Sequence, residues 1–288
     1  MKEAEMSTFY GSNINKFGFK LGLSTILLIS TALFFLGDHL YLLPAGSKII
    51  LTAIPPIILL GFTLFFYRNF RLRRYWEVTF ALFCGTFGLF LAWAPGSWPE
   101  RYLGVSTNTA QGIAILKFFE LLPVALSIIL LTRIVQGNLA PIYLQKGNMK
   151  IGLGLGLLLS LILLGVYILI SWSKIDFEKA AQAFAWMMIF SILDAFFEEL
   201  LIRGLLLRRF TALLGNAWSL ILSTLVYGLF FLGVQSATGP IPFGALILIL
   251  PLGLLYSFII QKSDSLWGSL SLHTTIDLVY LTGIFAFI

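Results

Sequence analysis

Apolar runs of about twenty residues, separated by short polar or glycine- and proline-rich breaks, recur along the chain. A helix needs about 20 consecutive apolar residues to cross a bilayer core. On that measure nine spans are predicted, near 18-37, 49-67, 76-95, 111-136, 151-172, 181-207, 216-235, 243-261 and 266-287. The breaks carry residues that end helices or prefer water, among them Phe70-Arg71-Leu72-Arg73-Arg74, Lys146-Gly147-Asn148 and Thr238-Gly239-Pro240-Ile241-Pro242. The run 181-207 is the least regular, because its first half also fits an interfacial segment and polar residues dilute it. The expected fold is all-α, a polytopic transmembrane helical bundle of about nine spans.

Composition supports this reading. Hydrophobic residues make up 59% of the 288 positions and charged residues 11%, with a mean hydropathy of +0.95. Soluble domains carry about a quarter charged residues. The apolar run after Lys20 has no small-residue cleavage site before Gly37-Asp38-His39, so the first helix is expected to be retained. Cys84 is the single cysteine and lies in an apolar run, which excludes an intrachain disulfide.

Loop charges then give an orientation. With the N-terminus cytoplasmic, the inner helix ends collect Lys2, Lys16, Lys20, Arg68, Arg71, Arg73, Arg74, Arg133, Lys146, Lys150, Arg208, Arg209 and Lys262. The outer ends hold Lys48, Arg101, Lys174 and Lys179. This positive-inside bias predicts a cytoplasmic N-terminus and, over nine spans, an external C-terminus. It also accounts for most of the net charge of +6, and no nucleic-acid partner is expected.

One span is chemically unlike the rest. Asp194, Glu198, Glu199 and Arg203 lie in a single apolar stretch, where uncompensated charges would cost roughly 10 kcal/mol on insertion scales. Glu199 and Arg203, four apart, share a helix face and can neutralise each other. Glu198 lies about 100° round the helix, facing with Asp194 and Ile202, and is left for proton transfer. The last span supplies His273 and Asp277, also four apart, so Asp277 can orient the imidazole. Glu198 precedes Arg208 by ten residues and His273 follows Lys262 by eleven. Each is thus about 15 Å from the cytoplasmic end of its helix, and the two groups can meet.

Glu198-Glu199-x-x-x-Arg203-Gly204, followed after a span by His273-x-x-x-Asp277, resembles the CAAX-processing and bacteriocin-processing family of intramembrane glutamic-type proteases. Gly253-Leu254-Leu255-Tyr256 and Leu266-Trp267-Gly268-Ser269 fit the same pattern, and the resemblance covers roughly 181-280. It implies a site in a cavity between core helices, with Glu198 activating water, Glu199 and Arg203 in support, and His273 with Asp277 polarising the substrate. The chain departs from the family in two places. Asp277 stands where the family more often has asparagine. Tyr227-Gly228-Leu229-Phe230-Phe231 puts phenylalanine at 231 where the family has a histidine. Tyr227 reads first as aromatic packing and second as a substitute for that histidine.

Three function classes are then in play. The first is an intramembrane endopeptidase cutting a membrane-associated peptide or protein near the cytoplasmic face. The second is a degenerate relative serving as scaffold, immunity or substrate-binding protein, motivated by Phe231. The third is a proton-coupled transporter, ranked last because the two halves share no pattern of interrupted spans. Two histidines and one cysteine offer no zinc spacing, so neither a metal nor another cofactor is expected. The division foreseen is an N-terminal membrane region of about four helices, 1-150, and a protease-like core, 151-288. Lys117 and Glu120 in the fourth span are read as a structural ion pair, and Asp194, Gln235 and His39 as ordinary polar residues. The expected setting is a prokaryotic plasma membrane.

Overall fold

The computed structural model describes residues 16–36, 48–93, 95–236 and 243–287. His39 and the breaks at 37–39 and 238–242 lie outside them, as does the side chain of Gln235. The described residues form helices joined by short turns and no strand, with one isolated antiparallel bridge between Ile175 and Phe287. In chain order the helices are α1 (Lys16–Leu36), α2 (Lys48–Arg68), α3 (Trp76–Ala92), the short α4 (Trp98–Leu103), α5 (Ala110–Gln136) and α6 (Met149–Ser171). There follow α7 (Phe177–Glu198), a π-helical stretch (Glu199–Leu207), α8 (Arg208–Leu214), α9 (Asn216–Ser236), α10 (Leu246–Ser263) and α11 (Trp267–Phe285).

A long helix thus stands at each of the nine predicted spans, and the polar stretch 181-207 belongs to one continuous helical run. By length and composition, Arg73–Ala92, Ala110–Gln136, Met149–Lys174 and Leu246–Ser263 can cross a membrane. Shorter apolar helices cover Gly18–Thr31, Thr52–Arg68 and Asn216–Leu232. α7 and α11 are not among these, because the polar residues of the candidate site lower their hydropathy. The protein is an integral membrane protein built as a helical bundle.

Sequence chemistry sets the helix ends. Thr109 caps α5 by accepting from the Gly112 amide, and Asn148 caps α6 by accepting from that of Ile151. Asp176 caps α7 by accepting from the Glu178 and Lys179 amides, and the Lys179 amide contributes most to holding its carboxyl below the ordinary value. Asp264, in the left-handed region at φ 55°, turns the chain from α10 into α11.

Two packing features position the site. α7 packs against α5 on one side and α11 on the other, while α11 also packs on α6. The α6–α11 seam is made of glycines: a Cβ at Gly156 would collide with the Gly268 carbonyl oxygen, and one at Gly268 with the Gly152 backbone. The second feature is Arg209, counted above among the charges at inner helix ends. It is instead buried, donating to Leu205 O at 2.6 Å, Gln136 Oε1 at 3.0 Å and Pro141 O at 3.1 Å. With the Gly204 carbonyl at 3.4 Å, four oxygens hold this cation away from water, and they tie the core to the end of α5.

Candidate active site

The helical run changes pitch at the paired carboxylates. Glu198 closes α7 and Glu199 opens the π-helical stretch, every residue of which is buried. Such stretches occur often at functional sites, where the wider turn re-aims a side chain.

Glu199 is the hub. Its Oε1 accepts from Arg203 Nη1 at 2.8 Å and lies 2.9 Å from His273 Nδ1, while Oε2 accepts from Ser269 Oγ at 2.6 Å. A carboxylate already holding an arginine and a hydroxyl takes the imidazole as a third donor, so Nδ1 carries the proton in that contact. The other ring nitrogen, Nε2, then faces Tyr227 Oη at 3.4 Å, Glu198 Oε2 at 3.5 Å and Asp277 Oδ1 at 3.7 Å. Glu198, Glu199, Tyr227 and Asp277 therefore surround one imidazole, with Arg203 one contact away behind Glu199.

The arrangement differs from expectation in one respect. Asp277 was expected to orient His273, but the shortest carboxylate contact to the ring is Glu199. Ser269 and Arg203 fix Glu199 beneath Nδ1, which leaves Asp277, one turn along α11, on the Nε2 side. Glu198, by contrast, makes no contact with Arg203 and keeps its side chain 18% exposed.

Aromatic rings close the site. Tyr256 stacks on the imidazole at 4.8 Å and 14°, and Tyr227 meets it edge-on at 6.0 Å and 83°. The Arg203 guanidinium lies 4.0 Å from the Tyr227 ring centre and 5.1 Å from that of Tyr256, so both rings offer it their π faces in place of water. Gly253 permits this approach: a Cβ there would stand 3.1 Å from Tyr227 Cδ1 and 3.5 Å from Arg203 Nη2. Phe231 is half-buried and brings no polar group. Tyr227 is the residue of α9 that reaches His273.

Tyr256 and Ser269 were not singled out from sequence, although both fall in the short stretches quoted for the resemblance. One further cluster borders the site. Lys117 Nζ on α5 contacts Glu120 at 3.0 Å, as read from their spacing, and also Asp194 on α7 at 2.8 Å. It lies 4.4 Å from the centre of the Phe197 ring. Among the described residues no group of three or more His, Cys, Asp or Glu side chains has a geometry that could hold a metal.

Residues 180–279 match the model of the family described as type II CAAX prenyl endopeptidase Rce1-like. The matched stretch contains every residue around His273 named above, so the resemblance read from the motifs holds over this part of the chain. No curated protein and no solved structure was found to match the chain.

Proposed function

We propose that this protein is an intramembrane endopeptidase in which Glu198 and His273 together hold and activate a water molecule near the cytoplasmic face. The observation that carries the proposal is the 3.5 Å approach of Glu198 Oε2 to His273 Nε2, with the opposite ring nitrogen held by Glu199. Glu198 takes the proton of the attacking water, and the oxygen adds to the peptide carbonyl carbon. The leaving amine collects that proton as the C–N bond breaks. His273 Nε2, 3.5 Å from Glu198 Oε2, is the second group that shares the water, since Phe231 has no atom that can do so. Tyr227, within reach of the same nitrogen, steadies the ring through its hydroxyl. Glu199 and Arg203 act as a neutral buried pair that positions the imidazole.

This convergence favours a working hydrolase over a degenerate relative, since a scaffold gains nothing from gathering Glu198, Tyr227 and Asp277 around one ring nitrogen. The test is cleavage of an internally quenched, prenylated CAAX peptide by the purified protein in proteoliposomes, compared with Glu198→Gln. Native cleavage lost in the variant supports the reading. Equal cleavage by both removes Glu198 as the base.

A further inference from the structure

Glu198 and His273 account for attack at the carbonyl carbon but leave the carbonyl oxygen unattended. As water adds, the π pair of the C=O bond collects on that oxygen, and sites that speed this step meet it with a preorganised donor. Asp277 offers a carboxylate where a neutral amide would have supplied an N–H. The Tyr227 hydroxyl is within reach of His273 Nε2. Arg203 carries Glu199 through Nη1, and its Nε and Nη2, which make no hydrogen bond, belong to a guanidinium that rests over two rings.

Tyr256 is different. Its side chain is 0% exposed, its ring is stacked on the imidazole, and its hydroxyl has no protein partner. A buried hydroxyl left unmet costs about 1 to 3 kcal/mol, which a phenylalanine at the same place would avoid. Asp277 Oδ2, one turn past the stacked histidine, is likewise buried without a partner. A donor and an acceptor are thus both left unsatisfied beside the one imidazole that Glu198 approaches.

We infer that Tyr256 is a further catalytic residue, whose hydroxyl donates a hydrogen bond to the substrate's carbonyl oxygen as it becomes an oxyanion while its ring holds the imidazole in plane. This rests on the hydrolase reading above. In the step itself the water oxygen bonds to carbon, the water proton passes to Glu198, the π pair moves onto oxygen, and Tyr256 keeps its own proton. The pair returns to remake C=O when the C–N bond breaks and the amine takes the proton from Glu198.

The test compares native protein, Tyr256→Phe and Tyr256→Leu on the quenched prenylated CAAX peptide, with thermal unfolding measured on each. The chain has two histidines, so in a His39→Asn background the imidazole NMR signals report His273 alone. Tyr256→Phe should lower kcat about 10²- to 10³-fold with KM unchanged. It should also raise Tm, because an unmet polar atom is removed, and leave the His273 signals in place. Tyr256→Leu should in addition shift those signals, since the stacked ring is gone. A Tyr256→Phe protein with native kcat, or with a lowered Tm, overturns the inference while leaving the hydrolase reading intact. A native protein that leaves the peptide uncut overturns both.

Discussion

Two clusters of opposite charges lie one helical turn apart along α7 and its π-helical continuation. In the inner one Glu199, Arg203 and His273 are almost wholly enclosed, and both oxygens of Glu199 are taken by named donors. In the outer one Lys117 bridges Asp194 and Glu120 with side chains 14%, 20% and 40% exposed. Glu198 lies between them and touches the inner one only at His273 Nε2, 3.5 Å away. A carboxylate with all its acceptors occupied is a fixture, whereas one left partly open beside a ring nitrogen can exchange a proton. On the proposed mechanism, two adjacent glutamates differ in role because their neighbours differ.

The sharpest way to break this contrast is to neutralise the two glutamates in turn. Glu198→Gln should lose about 10²- to 10⁴-fold in cleavage rate on the prenylated peptide and keep the native unfolding midpoint, because an amide fills the space but takes no proton. Glu199→Gln should do the reverse first, losing about 3 to 5 kcal/mol of stability by leaving Arg203 buried without its counter-charge. Folded yield in detergent and the unfolding midpoint check this. Equal stability loss in the two variants would erase the distinction.

On the Nε2 side, Tyr227→Phe should lower kcat about tenfold, the effect of one weak hydrogen bond near about 1.4 kcal/mol. Phe231→His should change kcat less than that, since Tyr227 already occupies this side of the ring. A large gain from Phe231→His would show that the missing histidine limits the native protein. Lys117→Met probes the outer cluster and should cost about 1 to 2 kcal/mol, between the cost of an exposed pair and a buried one, with cleavage reduced less than in Tyr227→Phe.

The smallest effect is expected far from both clusters, at the α7 cap. The Asp176 carboxyl is held below its ordinary value by the Lys179 amide, so its contribution is present above the unfolded-state value, near about pH 3.9. It is lost as pH falls through the lower, folded-state value. Asp176→Asn should remove this acid-side decline, read as unfolding midpoints measured between about pH 5 and pH 2.5.

Much of this was legible in the chain, for one physical reason: a charge in an apolar run is expensive and so announces itself. Glu198, Glu199, Arg203 and His273 were found by that cost, and the spacing of four predicted the Glu199–Arg203 contact. The long helices were legible because a bilayer fixes their length. Tyr256 and Ser269 carry no such cost, and their place beside His273 depends on how α10 and α11 pack. The change of pitch at Glu199 leaves no mark in the pattern of apolar and polar positions. Lys117 and Asp194 meet across helices, which spacing along one helix does not reveal, and Arg209 looked like any charge at a helix end until its four oxygen partners were in view.

The glycine seam between α6 and α11 has an engineering consequence. α6 turns most of its surface outward, yet it meets α11 backbone to backbone at Gly152, Gly156 and Gly268. Gly268 and Ser269 are neighbours, and His273 follows one turn later, so the separation of two helix axes is transmitted directly to the Ser269–Glu199 and His273–Glu199 distances. One added methyl at Gly156 or Gly268 therefore acts as a spacer shim, widening the gap at the imidazole without touching any group that does chemistry. A graded series of alanine and serine replacements there would tune turnover as a ruler tunes a gap.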